Sequence, residues 1–437
     1  MIGRRDFLSA GAMAAMIAPL AARATAAPRR AFPEGFLWGA STAGHQVEGN
    51  NTASDLWLLE NIRPSVFRER SGDATNSFEL WPVDLDLVAA MGLNSYRFSL
   101  EWARIEPEKG LFSQAMIDHY KAIISGCHQR GIRPQVTFNH FTAPRWFSAA
   151  GGWMNGDAPQ LFARFCARAA QDLADGIDNA MTLNEPNLLL LLQTMNLPQP
   201  LRDLERAMLD KAAQVSGTEK FVALNVANEE DLPRMQEVLL EGHAQGKAAI
   251  KAARSDLPVG VTLAMFDDQA VGRNSMRDAM RARLYGHWLE AAKSDDFLGV
   301  QNYERAVWNA RGRLPPPEGA TLNHTGAEVY APSLAGAVRY AHKATGVPII
   351  VTEHGVGTDD DTIRARFIPE TLGHLQQAMA DGVVVKGYHH WSLIDNFEWI
   401  FGYGPKYGLH SFDAVSFKRT PKPSAAVLAA IARANAV

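Results

Sequence analysis

Two glutamates stand far apart in this chain, each in a short motif of its own: Glu185 in Thr182-Leu183-Asn184-Glu185-Pro186 and Glu353 in Val351-Thr352-Glu353-His354-Gly355. Each follows an apolar, β-rich run, Ala180 to Leu183 and Pro348 to Val351. Both therefore read as carboxylates at the carboxyl ends of buried strands. Two carboxylates facing one cleft are the equipment for splitting a glycosidic bond. A lone glutamate after a strand is more often an N-cap neighbour or a salt-bridge partner. Paired, and set among aromatic-rich motifs, the two point to chemistry.

The elements that must bring them together alternate along the chain. Strands are expected at Phe36–Ser41, Ser95–Glu101, Arg133–Asn139, Asn179–Leu183, Val259–Met265, Phe297–Tyr303, Ile349–Glu353 and Val383–Trp391. Helices fit between and after them at Phe78–Met91, Ala115–Arg130, Pro159–Ala174, Pro233–Arg254, Asn274–Lys293, Ser333–Ala344, Pro369–Asp381 and Ser424–Ala436. Their apolar residues recur at three- and four-residue steps, as in Met116, Tyr120, Ile123 and Ile124. Strands alternating with helices imply a parallel sheet, and eight repeats close an α/β fold into a single (β/α)8 TIM barrel. An open doubly wound sheet would not need eight. No linker divides residues 32–437, so one domain is expected. The long connections Asn187–Leu232 and Glu304–Pro332 both follow strand ends, where a barrel builds its substrate site. Arg97, His140, Asn184, Glu185, Tyr303, Glu353 and Trp391 fall at or near strand ends on that same face. Any one of them could be an ordinary buried polar group, but seven on one rim exceed what stability requires.

Bulk properties narrow the field. The chain is 47% hydrophobic and 21% charged, ordinary for a globular protein. A formal net charge of −4, with no Lys/Arg block beyond the N-terminal segment, argues against nucleic-acid partners. Most of the 39 aromatic side chains belong to the core, but aromatics also form platforms for the apolar faces of sugar rings. Cys127 and Cys166 lie on helix-like segments among apolar neighbours and read as two buried thiols. No Cys/His spacing suggests zinc, and neither metal nor cofactor is expected.

Several ordered segments resemble the β-glycosidases of glycoside hydrolase family 1: Gln46-Val47-Glu48-Gly49, Tyr96-Arg97-Phe98-Ser99, the two glutamate motifs, and Trp391-Ser392-Leu393-Ile394-Asp395-Asn396-Phe397-Glu398-Trp399. The likeness runs from Phe32-Pro33-Glu34-Gly35-Phe36-Leu37-Trp38-Gly39 to Lys418-Arg419-Thr420-Pro421-Lys422. It implies a retaining barrel enzyme releasing a terminal β-linked glucose-like sugar from a small glycoside or oligosaccharide. By position, Glu185 matches the acid/base and Glu353 the nucleophile. Asn184 matches the residue holding the sugar's 2-hydroxyl. Gln46, His140, Glu398 and Trp399 match ligands of the other hydroxyls, and Trp391 the platform beneath the ring. Arg97 and Tyr303 match the groups that hold the nucleophile ionised and aimed. Three positions depart from the family pattern. Phe141 follows His140 where Trp is common, His354 follows Glu353 where Asn is usual, and Gln301-Asn302-Tyr303 replaces Asn-Tyr-Tyr, with Tyr303 aligned to the second tyrosine. A carboxylate at Glu398 disfavours 6-phosphosugars. A transglycosidase would share the same glycosyl-enzyme, whereas a retired, sugar-binding barrel should have lost a carboxylate or its Arg97/Tyr303 support.

The first 26 residues read separately. Gly3-Arg4-Arg5-Asp6-Phe7-Leu8 precedes an Ala/Met/Leu/Ile run to Leu20, and Ala24-Thr25-Ala26 offers a small-x-small cleavage site. Basic start, short apolar core and small-residue exit describe an export signal, with paired arginines favouring the twin-arginine route. The apolar run is too short for a stable membrane span, so a soluble periplasmic or secreted protein is expected. Replacing Arg4 and Arg5 with Lys should block translocation, and N-terminal sequencing of exported protein should begin near Ala27. An intact N-terminus on periplasmic protein would contradict the signal.

Overall fold

The computed structural model describes residues 31–195 and 197–437; the expected export signal lies outside them. Eight strands, Leu37–Ser41 (β1), Ser95–Ser99 (β2), Arg133–Asn139 (β3), Asn179–Asn184 (β4), Val259–Ala264 (β5), Phe297–Asn302 (β6), Ile349–His354 (β7) and Val385–Trp391 (β8), form a closed barrel. All neighbours pair in parallel, and β8 closes on β1 through Leu37↔Gly387 to Ser41↔Trp391. Every expected strand is found within two residues at each end.

Alternation along the strands divides polar from apolar. Arg97 of β2 stands beside Gln135 of β3 in register, and both side chains are fully buried in the barrel interior. Their sequence neighbours Tyr96, Phe98, Val136 and Phe138 face the opposite way and join the main apolar core, where Phe138 meets Phe165 edge-on at 6.4 Å. Small residues let strands and side chains come close. A Cβ on Gly39 would run into the His389 ring, and one on Gly355 into the Trp391 carbonyl.

The outer layer comprises helices Ser77–Ala90 (α1), Gln114–Gln129 (α2), Ala158–Leu173 (α3), Leu232–Ala253 (α4), Arg277–Ala292 (α5), Ser333–Thr345 (α6), Asp361–Ala380 (α7) and Pro423–Ala434 (α8). One boundary needs correction. α7 starts eight residues before Pro369, which lies inside it. Proline at a first helical position is a reasonable start signal, but the Asp360 carboxylate caps the Thr362 N–H at 2.9 Å and nucleates the helix earlier. Cys127 and Cys166 are free buried thiols on α2 and α3. Among the described residues no helix is long and apolar enough to cross a membrane.

The two long connections carry structure that periodicity did not reveal. Helix Gln199–Ser216 packs with helix Asp55–Asn61 through a second apolar cluster that includes Leu56, Leu59, Phe67, Met208, Leu209 and Phe397. Asp267–Ala270, Arg305–Asn309 and Gly312–Arg313 form a small three-stranded sheet. Both lie in connections that leave the carboxyl ends of barrel strands.

Phe32 and the end of α8 are tied together at the amino end of the barrel. α8 stops at Asn435, which takes φ +49°. Its amide oxygen accepts from Trp38 Nε1 at 2.9 Å, and its Nδ2 donates to the Phe32 carbonyl at 2.8 Å. Asn435→Ala removes both bonds and places a β-carbon residue less tolerant of the left-handed region there. It should destabilise the fold by about 1–3 kcal/mol. Calorimetry should show a lower Tm with substrate KM unchanged.

Candidate active site

The guanidinium of Arg97 occupies the interior of the barrel near its carboxyl end, fully buried. Its NH1 donates to Glu353 Oε1 and its NH2 to Asn184 Oδ1, each at 2.6 Å. Tyr303, one residue beyond β6, donates its hydroxyl to the other oxygen of Glu353 at 2.7 Å, which supports aligning it with the second tyrosine of the family pattern. Gln301 completes the set. Its Nε2 reaches Glu353 Oε1 at 2.9 Å and Asn184 Oδ1 at 2.8 Å. The sequence reading had treated Gln301 only as a departure. The signal was there, because Gln301 and Tyr303 are two residues apart in the expected strand Phe297–Tyr303 and so would share its inward face.

Glu185 follows β4 directly and takes φ +42°, a left-handed conformation that costs a residue with a side chain about 1–3 kcal/mol. Its backbone N–H is fixed to the Thr262 carbonyl at 2.9 Å. Among the described residues its carboxyl accepts no hydrogen bond. Burial drives it well above the ordinary carboxylate range, and the charge of Glu353 drives it further, against a weaker pull from Arg97. Burial raises Glu353 as well, but there Arg97, Tyr303 and Gln301 all oppose it. Both carboxyls are raised, but three donors against none favour the charge on Glu353 and the proton on Glu185. Tyr303 stays a donor, since burial beside both carboxylates raises its phenol far above its ordinary value.

The remaining residues form a wall of rings and amides. His140 follows β3 and accepts from Asn184 Nδ2 at its Nε2, 3.1 Å away. That bond leaves the proton on Nδ1, a buried donor without a partner. Burial and the nearby Arg97 keep the ring neutral. Gln46 donates to Asn396 Oδ1 at 3.0 Å and to the Phe397 carbonyl at 2.9 Å, and its own carbonyl oxygen is buried and unpaired. Trp391, the last residue of β8, donates Nε1 to Glu398 at 3.2 Å. Burial pushes the Glu398 carboxyl up to about 8. His140 lies nearly parallel to both Trp391 and Trp399, at 6.0 Å in each case. An unpaired donor and an unpaired acceptor, buried beside indole faces, are suited to hydroxyls on a ring.

The three departures separate cleanly. His354 points away from the site, stacked on Phe367 of α7 and bonded to the Asn302 carbonyl. Phe141 meets Trp399 edge-on at 5.3 Å and His140 at 5.1 Å, so it forms part of the wall. Trp146 turns to Trp102 and donates to the Glu106 carbonyl. All ten residues singled out in the sequence lie on the carboxyl-end face, with both carboxylates and the Arg97/Tyr303 support intact.

Comparison with known proteins agrees with this geometry. The model of glycosyl hydrolase family 1 matches residues 28–208 and 320–437. The thermostable β-glucosidase B of Thermobispora bispora is 28% identical, over 97% of this chain and 95% of its own. A β-glucosidase of Agrobacterium is also 28% identical, over 92% and 95%. Among solved structures, a β-glucosidase in its apo form superposes with a TM-score of 0.88 at 40% identity, covering 91% of this chain and 98% of that one. A crystal structure of a β-glycosidase gives 0.87 at 43%, covering 93% and 98%. The chain belongs to glycosyl hydrolase family 1 and is an O-glycosyl hydrolase.

Proposed function

We propose that this enzyme is a retaining β-glycosidase that releases terminal, non-reducing β-D-glucosyl or closely related residues by double displacement. The observation that carries the reading is the asymmetry between its two buried glutamates. A nucleophile must be ionised, and Glu353 has a guanidinium, a phenol and an amide donating to it. An acid must hold its proton near neutrality, and Glu185 has only burial and a negative neighbour.

In the first step Glu353 attacks the anomeric carbon while Glu185 protonates the departing oxygen. Once Glu353 is esterified its charge is gone, and with it one cause of the high pKa of Glu185. Glu185 can then take a proton from water, which attacks the anomeric carbon and frees Glu353. Asn184 is placed to hold the 2-hydroxyl, Gln46, His140, Glu398 and Trp399 the others, and Trp391 to lie beneath the ring. The curated relatives named as β-glucosidases support a preference for glucosides. Phe141 offers the pocket no N–H, which favours acceptance of galactosides and fucosides alongside glucosides. The N-terminal motifs support export to the periplasm or beyond.

Glu353→Gly should nearly abolish turnover of an aryl β-glucoside, and azide or formate should restore part of it with an α-configured product. Full activity in that variant would remove Glu353 as nucleophile. Glu185→Ala should keep rapid formation of the intermediate from a good leaving group, slow its hydrolysis, and lose the basic limb of the pH–rate profile. Equal losses with good and poor leaving groups would contradict the acid/base role.

Gln301→Ala tests the support of the nucleophile. It deletes a hydrogen bond to a charged group, worth about 1.5–3 kcal/mol, and so raises the Glu353 pKa. The acidic limb of kcat/KM should move towards neutral pH, and the rate at the optimum should fall about tenfold or more. An acidic limb that stays in place would assign Gln301 to packing.

A further inference from the structure

Behind the ring wall lies a cluster of buried acids that the double displacement does not use. His45 sits in the short helix Gly44–Val47, one residue before Gln46, and is only 1% exposed. Its imidazole lies parallel to the Trp399 indole, 4° apart in plane and 5.9 Å between centroids. Trp399 continues to His140 at 21° and His140 to Trp391 at 22°. Four near-parallel rings thus form one ladder, with His45 at one end and Trp391 at the other.

Phe397 meets the His45 ring edge-on at 6.1 Å, and carboxyls from several elements gather around it. From helix Asp55–Asn61, Glu60 brings Oε2 to 3.7 Å from His45 Nε2, with both side chains fully buried. Glu60 is itself fixed by the Ser71 hydroxyl and backbone N–H. Nε2 has no hydrogen bond. The Asn51 amide faces Nδ1 at 3.4 Å and donates to Glu101 at 2.6 Å, while Glu101 also accepts the His45 N–H at 2.9 Å. Asp55 lies on the same helix as Glu60. Glu48, at the end of the helix that carries His45, pairs with Arg104 and accepts from the Tyr120 phenol. Four carboxyls therefore surround one imidazole and one guanidinium. Burial alone would lower the His45 pKa, but Glu60, Glu101 and Asp55 outweigh it and hold the ring above its ordinary value.

An imidazolium against an indole face is attracted by the ring quadrupole, most strongly where water is excluded. We propose that His45, anchored by Glu60, is a positioning residue for sugar binding: it holds the Trp399 indole in place where the glycone's hydroxyls meet it. The proposal rests on the reading that Trp399 touches the sugar. In its support, Trp399 occupies a left-handed backbone position, φ +52°. Its indole is set by the rings around it, His45, His140 and Phe141. Uncharged, His45 is only a flat spacer; protonated, it is a clamp.

Steady-state kinetics on aryl β-glucoside, β-galactoside and β-fucoside separate the two ideas. Hydrolysis by the unaltered enzyme tests the reading beneath the proposal, and the variants then test His45. His45→Phe keeps a ring but removes the charge. It should raise KM for the glucoside about tenfold, the loss of one desolvated cation–ring contact, with kcat little changed, and it should narrow the differences among the three sugars. In the unaltered enzyme KM should climb on the alkaline side as the imidazole loses its proton. His45→Phe should abolish that climb, and Glu60→Gln should move it to lower pH. Glu60→Gln conserves volume, so it decides the matter if His45→Phe does not fold. An unchanged KM and an unchanged pH dependence of KM, even with a lowered Tm, would overturn the proposal. So would a fall in kcat at constant KM.

Discussion

The site depends on one buried cation. Arg97 is fully buried, and a lone guanidinium in such a place costs several kcal/mol. Its two short bonds, to Glu353 and to Asn184, are what make its burial tolerable. They impose order on everything nearby. Glu353 must stay ionised to answer the charge, and Asn184 must present its oxygen inward, so its Nδ2 is left to fix the tautomer of His140. Burial discourages a charge on Glu185, and the negative charge on Glu353 adds to it. Two chemically identical side chains, both raised by burial, are thereby pulled apart by donors that reach only Glu353.

The same arrangement explains which features could be read from the chain. Parallel strands buried on both faces appear as near-continuous apolar runs, so their limits were legible to within two residues. The polar residues that break such runs at their ends, Glu185 and Glu353 among them, stood out for that reason. Gln301 did not stand out. An amide inside a strand resembles a tolerated core polar group until its partners across the barrel are known. Phe141 was legible as unusual but not in its contacts, because Trp399, which it meets, is distant in sequence, and the sequence does not announce a φ of +67°. Pro369 misplaced a helix start because a capping aspartate nine residues earlier outweighed it. For Gln301 and Phe141 the missing information was tertiary; for the helix start it was a local cap.

The long connections taught the same lesson on a larger scale. Read as sequence, residues between Asn187 and Leu232 were an insertion after a strand. Folded, they supply one side of a compact apolar cluster whose other side comes from helix Asp55–Asn61 and from Phe397. Phe397 is also the residue whose carbonyl holds Gln46, and it directly precedes Glu398 and Trp399. A loop nearly two hundred residues away in sequence thus helps to set the wall of rings and amides.

That second cluster has a consequence for how the molecule yields to heat and to evolution. Its apolar contacts form a unit distinct from those that seal the barrel against its helices. A crown with its own cohesion can loosen while the staves beneath it remain closed, so inactivation on warming is expected to precede melting of the sheet. It also frees natural selection to remodel the rim, exchanging segments there for new acceptors or leaving groups, without renegotiating the stability of the cylinder that holds the two carboxylates apart.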